Sequence, residues 1–136
     1  ESMVFDFADR MRMLGSGKQP TEIIRKAIDY IYENLHRKIE VQELAKYAGV
    51  TPTHFRRLFK EQMGITPSEY IVKKKIETAA NMLHYSDYSA TEIGYYLAFS
   101  THSHFIKAFK KYMGITPRKY RAQYVGSLTK SEMSKD

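Results

Sequence analysis

One stretch of this sequence occurs twice, and the repeat limits the fold more than any other feature. His54-Phe55, Phe59-Lys60, the run Met63-Gly64-Ile65-Thr66-Pro67 and Tyr70 return as His104-Phe105, Phe109-Lys110, Met113-Gly114-Ile115-Thr116-Pro117 and Tyr120, at an offset of 50 residues. Upstream, Leu44-Ala45 resembles Ile93-Gly94 at an offset of 49, so one residue has been added between the paired helices of the second copy. Two copies are too few for a solenoid. They predict instead one pseudo-duplicated domain.

Periodicity predicts helices almost throughout. The first spans roughly 21–35, with Ile24, Ala27, Ile28, Ile31 and Leu35 on one face. A second spans 41–47, with Gly49 suited to its stop. A third runs over 52–63, capped by Thr51 with Pro52 at its first position, where a missing N–H costs nothing. Thr66-Pro67-Ser68-Glu69 is a capping box that opens a long helix to about His84, near 27 Å at 1.5 Å per residue. Ser89-Ala90-Thr91-Glu92 is another box and opens the fifth helix. The sixth covers roughly 101–113 and the seventh 117–124, while no alternating segment competes as a strand. The fold class is therefore all-α. Its domain is expected over 21–124, as a first unit at 21–66, a linking helix at 67–84 and a second unit at 89–124. A start at Glu1 rather than Met, and Gly15-Ser16-Gly17 interrupting Phe7, Met11 and Leu14, mark 1–20 as a linker or the remnant of an upstream region. Residues 125–136 are polar and expected to be a flexible tail.

Charge falls on the repeat. The net charge is +7, yet residues 1–50 hold eight basic and eight acidic side chains. Arg56, Arg57 and Lys60 face only Glu61 within 51–64, and residues 101–121 carry six basic residues and no acid. Such local excess attracts polyanions. Each basic segment is also the second of two short helices joined by a tight turn, the arrangement of a helix-turn-helix. The second helix then needs an inner face that holds it and an outer face of donors and cations. Phe55, Leu58, Phe59 and Met63 supply the inner stripe in the first copy, leaving Thr53, His54, Arg56, Arg57 and Lys60 outside. Phe105, Ala108, Phe109, Tyr112 and Met113 do so in the second, leaving His102, Ser103, Ile106, Lys107 and Lys110 outside.

With Ile93-Gly94, Phe99-Ser100, His104-Phe105, Phe109-Lys110, Gly114, Thr116-Pro117 and Tyr120-Arg121, the chain resembles the DNA-binding domain of the AraC/XylS family of bacterial transcription regulators over about three quarters of its length. The resemblance implies two helix-turn-helix units joined by a long helix, entering adjacent major grooves of double-stranded DNA. It maps base-facing positions onto Thr53, Arg56 and Arg57, and onto His102, Ser103, Ile106 and Lys107. Three departures stand out: Gly94 in place of the usual Ala, Ala98 in place of the usual Gly, and Glu40 in place of the usual Ser or Thr cap, which should weaken the start of the second helix.

Several side chains carry two readings. Arg56 and Arg57 suit bidentate recognition of guanine O6 and N7, or a grip on phosphate. Lys60, Lys110, Lys111 and Arg118 read as phosphate anchors, and so does Lys107, which the resemblance maps to a base-facing position. Ile106 suits a thymine methyl or local packing. Lys73-Lys74-Lys75 is a solvated face or a further DNA contact. His102 and His104 are two apart on a helix, so they point roughly 200° apart and make a poor metal pair.

No cofactor or metal is expected. Cysteine is absent, which removes disulfides and thiolate chemistry and fits a cytoplasmic location. No nucleophile turn or paired-carboxylate constellation suggests an enzyme. The competing reading is a protein-interaction module that recruits RNA polymerase. It would not need two cationic outer helix faces, and only a DNA binder would show a salt-sensitive shift. An upstream sensor or dimerisation domain is a further partner the resemblance implies. A membrane is not.

Overall fold

The computed structural model describes residues 20–124; the linker expected over 1–20, all but its last residue, and the tail expected over 125–136 lie outside them. Among the described residues there are seven helices: α1 (Glu22–Glu33), α2 (Val41–Ala48), α3 (Pro52–Met63), α4 (Pro67–Tyr85), α5 (Ala90–Tyr96), α6 (His102–Met113) and α7 (Pro117–Tyr124). No strand occurs among them.

The helix ends obey local chemistry. Thr66 and Glu69 cap α4 reciprocally: the Glu69 N–H donates to Thr66 Oγ1 at 3.1 Å and the Thr66 N–H to Glu69 Oε1 at 3.0 Å. Ser89 and Glu92 do the same for α5, at 3.1 and 2.8 Å. α1 is shorter than its apolar stripe. It stops at Glu33, where the Asn34 side chain folds back onto the Tyr30 carbonyl at 2.8 Å. Leu35 stays buried although the chain has left the helix, which is why periodicity overran the end.

The described residues form two compact units that divide between Lys74 and Lys75, inside α4. The helix expected as a link therefore gives its first part to one unit and its last part to the other. In the first unit Ile24, Ala27 and Ile31 of α1 are buried with Leu44, Phe55, Phe59 and Tyr70. In the second, Ile76, Ala79, Ala80 and Leu83 are buried with Ile93, Leu97, Phe105 and Phe109. All four repeated phenylalanines are fully buried. Each unit also repeats one ring contact: Phe59 meets Tyr70 edge-on at 5.3 Å, and Phe109 meets Tyr120 edge-on at 5.5 Å. Edge-to-face pairs contribute about 0.5–1.5 kcal/mol beyond their buried area.

Two of the three lysines in the α4 run do not belong to a solvated face, while Lys73 is half-buried. Lys74 and Lys75 are 1% and 5% exposed. In the first unit the Lys74 ammonium lies 5.2 Å from the Tyr70 ring and 6.0 Å from that of Tyr32. In the second, Lys75 Nζ donates to the Leu97 carbonyl at 2.6 Å. Burying an ammonium is costly unless such partners replace water. That cost explains why both amines end on electron-rich groups.

Candidate nucleic-acid interface

Two outer helix faces make up the candidate site. On α3, Thr51 Oγ1 accepts from the His54 N–H at 3.3 Å and Pro52 takes the first position, so the helix begins sharply. Phe55 and Phe59 hold it down. Thr53, Arg56, Arg57 and Lys60 are all exposed on it. The Arg57 guanidinium donates from Nη2 to His54 Nδ1 at 3.0 Å. On α6, Thr101 Oγ1 accepts from the His104 N–H at 3.0 Å, and Phe105, Ala108 and Phe109 are buried. His102, Ser103, Lys107, Lys110 and Lys111 are exposed, as is Arg118 in the first turn of α7. Ile106 is half-buried and lines a groove with His102, Leu83, Ala90, Pro117 and Arg118, so packing accounts for part of its apolar surface. The rings of His102 and His104 take separate neighbours: His104 stands edge-on to Phe99 at 5.2 Å, and His102 lies 6.4 Å from Phe105.

The turns that join the helix pairs close in the same way, although the second connection is longer. After α2, the Val50 N–H reaches the Ala45 carbonyl at 3.0 Å and the Gly49 N–H reaches Lys46 at 3.1 Å. After α5, the Phe99 N–H reaches Gly94 at 3.1 Å and the Ala98 N–H reaches Tyr95 at 3.0 Å. Both are Schellman closures, which place one residue in the left-handed region. Gly49 takes φ +81° and Ala98 takes φ +61°.

One basic residue of the second segment is absent from its surface. Arg121 is 5% exposed. Its Nε donates to the Leu83 carbonyl at 3.0 Å, and its Nη2 donates to the Ser86 and Tyr88 carbonyls at 3.0 and 2.6 Å. It thereby satisfies carbonyls around the end of α4, a place that favours a cation. The outward charge of that segment is correspondingly one less than its sequence suggests.

A polar cluster absent from the sequence reading fixes the start of α2. Glu43 Oε2 accepts from Arg37 Nη2 and from the Tyr30 hydroxyl, each at 2.7 Å, while Glu43 Oε1 accepts from the Glu40 N–H at 2.7 Å. The Arg37 hydrogen bond above all holds the Glu43 carboxyl at about 2, against an ordinary 4.5; partial burial opposes it, and the Glu40 N–H and Tyr30 hydroxyl help. The same contact with Glu43 raises the Tyr30 hydroxyl. The weak start expected from Glu40 is thus offset by Glu43. The spacing Glu40-x-x-Glu43 was the available signal, since Glu at the third helical position reaches back to the cap N–H.

A helix-turn-helix domain family model matches residues 44–123. The AraC-type regulator structure from Chromobacterium violaceum is 29% identical, with a TM-score of 0.72 over 75% of this chain and 91% of that one. The DNA-binding domain of AdpA, a global transcriptional factor solved in complex with a target DNA, is 25% identical, with a TM-score of 0.74 over 79% of this chain and 96% of that one. The probable transcriptional regulator LumQ of Photobacterium leiognathi is 33% identical over 93 residues, 68% of this chain and 38% of LumQ. This chain belongs to the AraC/XylS family. It corresponds to the family's DNA-binding domain, and it spans well under half the length of curated relatives such as LumQ.

Within the AraC/XylS family the two small-residue departures now have a geometry. A Cβ built on Gly94 would lie 3.0 Å from Cγ and Cδ2 of Phe105 and 3.3 Å from its Cβ. The missing methyl at Gly94 lets the buried ring sit against the α5 backbone. At Ala98 the exchange runs the other way: a methyl-bearing residue occupies a left-handed position that glycine adopts freely, at about 1–2 kcal/mol of steric cost.

Proposed function

We propose that this chain is the DNA-binding part of a cytoplasmic bacterial transcription regulator, and that α3 and α6 each read double-stranded DNA sequence-specifically from a major groove. The observation that carries the reading is the repeated division of labour on these helices. Buried phenylalanines lie on one face, and donors and cations are exposed on the other. In this reading Thr53, Arg56 and Arg57, with His102, Ser103, Ile106 and Lys107, face base edges. Arginine suits guanine through its bidentate fork, and the short hydroxyl residues suit several bases. Lys60, Lys110, Lys111 and Arg118 grip phosphate, which sets register and affinity without reading sequence. The second unit supplies much of the sequence-independent affinity, from its outward lysines and Arg118 but not from Arg121. No catalytic step is assigned to the chain. RNA polymerase and an upstream sensor or dimerisation domain are proposed partners of the longer protein.

The two readers differ, Arg56 standing where the second copy has Ile106. The proposed site is therefore two unlike half-sites in tandem, about one helical turn apart at roughly 34 Å. The test is a band-shift series on a site selected from a random DNA pool, with and without five base pairs added between the half-sites. The insertion turns the half-sites to opposite faces. A loss of at least about tenfold in specific affinity, worth ~1.4 kcal/mol, with non-specific binding unchanged, is expected. Equal affinity for both sites would mean that only one helix reads DNA at a time.

A further inference from the structure

Arg57 is exposed, and a free arginine on a helix surface samples many rotamers. Here it is not free. Its guanidinium donates to His54 Nδ1 across one helical turn, at 3.0 Å. Arginine has no acceptor, so the bond requires the lone pair on Nδ1 and leaves the ring's N–H on Nε2. His54 is itself held: its backbone N–H is tied to the Thr51 hydroxyl, and its side chain is half-buried at the start of α3. The guanidinium is thus tethered to a ring whose own backbone is pinned by a helix cap. The second copy does something else with the same residue. His104 sets its ring edge-on against Phe99, where the first copy has Val50, and a lysine, Lys107, stands in the place of Arg57. The repeated histidine is therefore not retained for one shared contact.

We infer that His54 is a positioning residue that holds the Arg57 guanidinium in the orientation α3 presents to DNA, and so sets how sharply the first unit discriminates its bases. The inference rests on the proposal that α3 faces DNA, and its test separates the two. Ordering a rotamer-rich side chain on binding is costly, and His54 meets that cost in the free protein. The gain goes to the geometry in which two parallel N–H groups reach O6 and N7 of one guanine, because a misaligned fork makes only one of those bonds.

The experiment measures affinities of the 136-residue chain for its selected site and for that site changed at each base pair under α3. The variants are Arg57→Ala, His54→Ala, the double variant and His54→Asn, each checked by thermal melt for folding. Asparagine places its Oδ1 near the position of Nδ1 and so keeps an acceptor for Arg57. Arg57→Ala is expected to relax preference at one or two base pairs. His54→Ala should weaken preference at those same pairs by about three- to tenfold. Arg57→Ala should cost correspondingly less when His54 is already alanine, and His54→Asn should restore most of the preference. Independent, multiplying effects of the two alanine variants would overturn the inference, as would a His54→Asn protein no better than His54→Ala. If Arg57→Ala weakens every sequence alike, Arg57 is a phosphate anchor and the base-reading assignment fails. The coupling between the two positions is then read from affinity for any DNA, where its presence supports the role of His54 and its absence refutes it.

Discussion

The first unit turns from α2 to α3 on Gly49, while the second turns from α5 to α6 on Ala98. Both turns close with the same pair of backbone hydrogen bonds, and both leave one residue left-handed. The second nevertheless carries a methyl where the first has none, and four residues earlier it lacks a methyl where the first has Ala45. The missing methyl makes room for Phe105, and the extra one costs local strain. The caps diverge as well. Thr66 and Glu69 form a full box at α4, whereas at α7 the Lys119 N–H donates to Thr116 Oγ1 at 3.2 Å and Lys119 has no carboxylate to return. The two copies thus share a backbone pattern while their local stabilisation differs. At the start of α7, where an acid is favoured, the second copy carries the cation Lys119 instead.

The largest effect tests what the copies share. Phe59→Ala and Phe109→Ala remove equivalent, fully buried rings, so each should cost about 3–5 kcal/mol in denaturant unfolding. A melt left unchanged by either substitution would break the equivalence of the two cores.

The next effects test what they do not share. Gly94→Ala sets a methyl 3.0 Å from the Phe105 ring, which must shift by a fraction of an ångström; overpacking of about 1–3 kcal/mol against the roughly 1 kcal/mol gained in helix propensity is expected to leave a net loss. Ala98→Gly should stabilise the protein by about 1 kcal/mol, and Gly49→Ala should destabilise it by a similar amount. Calorimetry on the three variants checks the signs. A stabilising Gly94→Ala would mean that Phe105 moves aside freely.

The smallest effect separates the units by pH. The Glu43 carboxyl is depressed from 4.5 to about 2 in the folded first unit. Its contribution is therefore fully present above about pH 4.5 and is lost as pH falls through about 2, because the unfolded chain binds the proton first. Glu43→Gln should flatten this part of the acid-stability curve, measured as the denaturation midpoint between pH 5 and pH 2. The partners are only partly buried and solvent still screens them, so the effect is modest. An unchanged acid limb would show that the Arg37 pair contributes nothing to folding.

Much of this architecture is legible without coordinates. The starts of α3, α4 and α5 are written in Thr51-Pro52, Thr66-Glu69 and Ser89-Glu92, because capping is chemistry within four residues. Most of the outward set on α3 and α6 follows from the phenylalanine spacing, but His54 and Ile106, expected outside, are half-buried. What sequence does not show is where a charge goes when its partner is distant. Lys75 ends on a carbonyl 22 residues away, and Arg121 on carbonyls 33 to 38 residues back. By residue type both belong outside, and only tertiary folding supplies the acceptors that make burial tolerable. The His54–Arg57 bond lies within one turn and was in principle readable. A histidine and an arginine three apart meet on a helix surface, but as two potential cations they do not suggest a bond.

The adjacent buried amines of α4 also bear on how the molecule comes apart. By hydrogen bonding α4 is one helix, but Lys74 meets the Tyr70 ring within the first unit and Lys75 meets the Leu97 carbonyl within the second. Neither amine reaches water in the folded molecule. Cooperative opening of the second unit would release Lys75 and the turns beyond it. The turns from Pro67 to Lys74 would remain, with the Thr66–Glu69 cap at one end and the lysine against Tyr70 at the other. Amide-exchange protection along this single helix is therefore expected to step between Lys74 and Lys75, and uniform protection from Pro67 to Tyr85 would show that α4 opens as one piece.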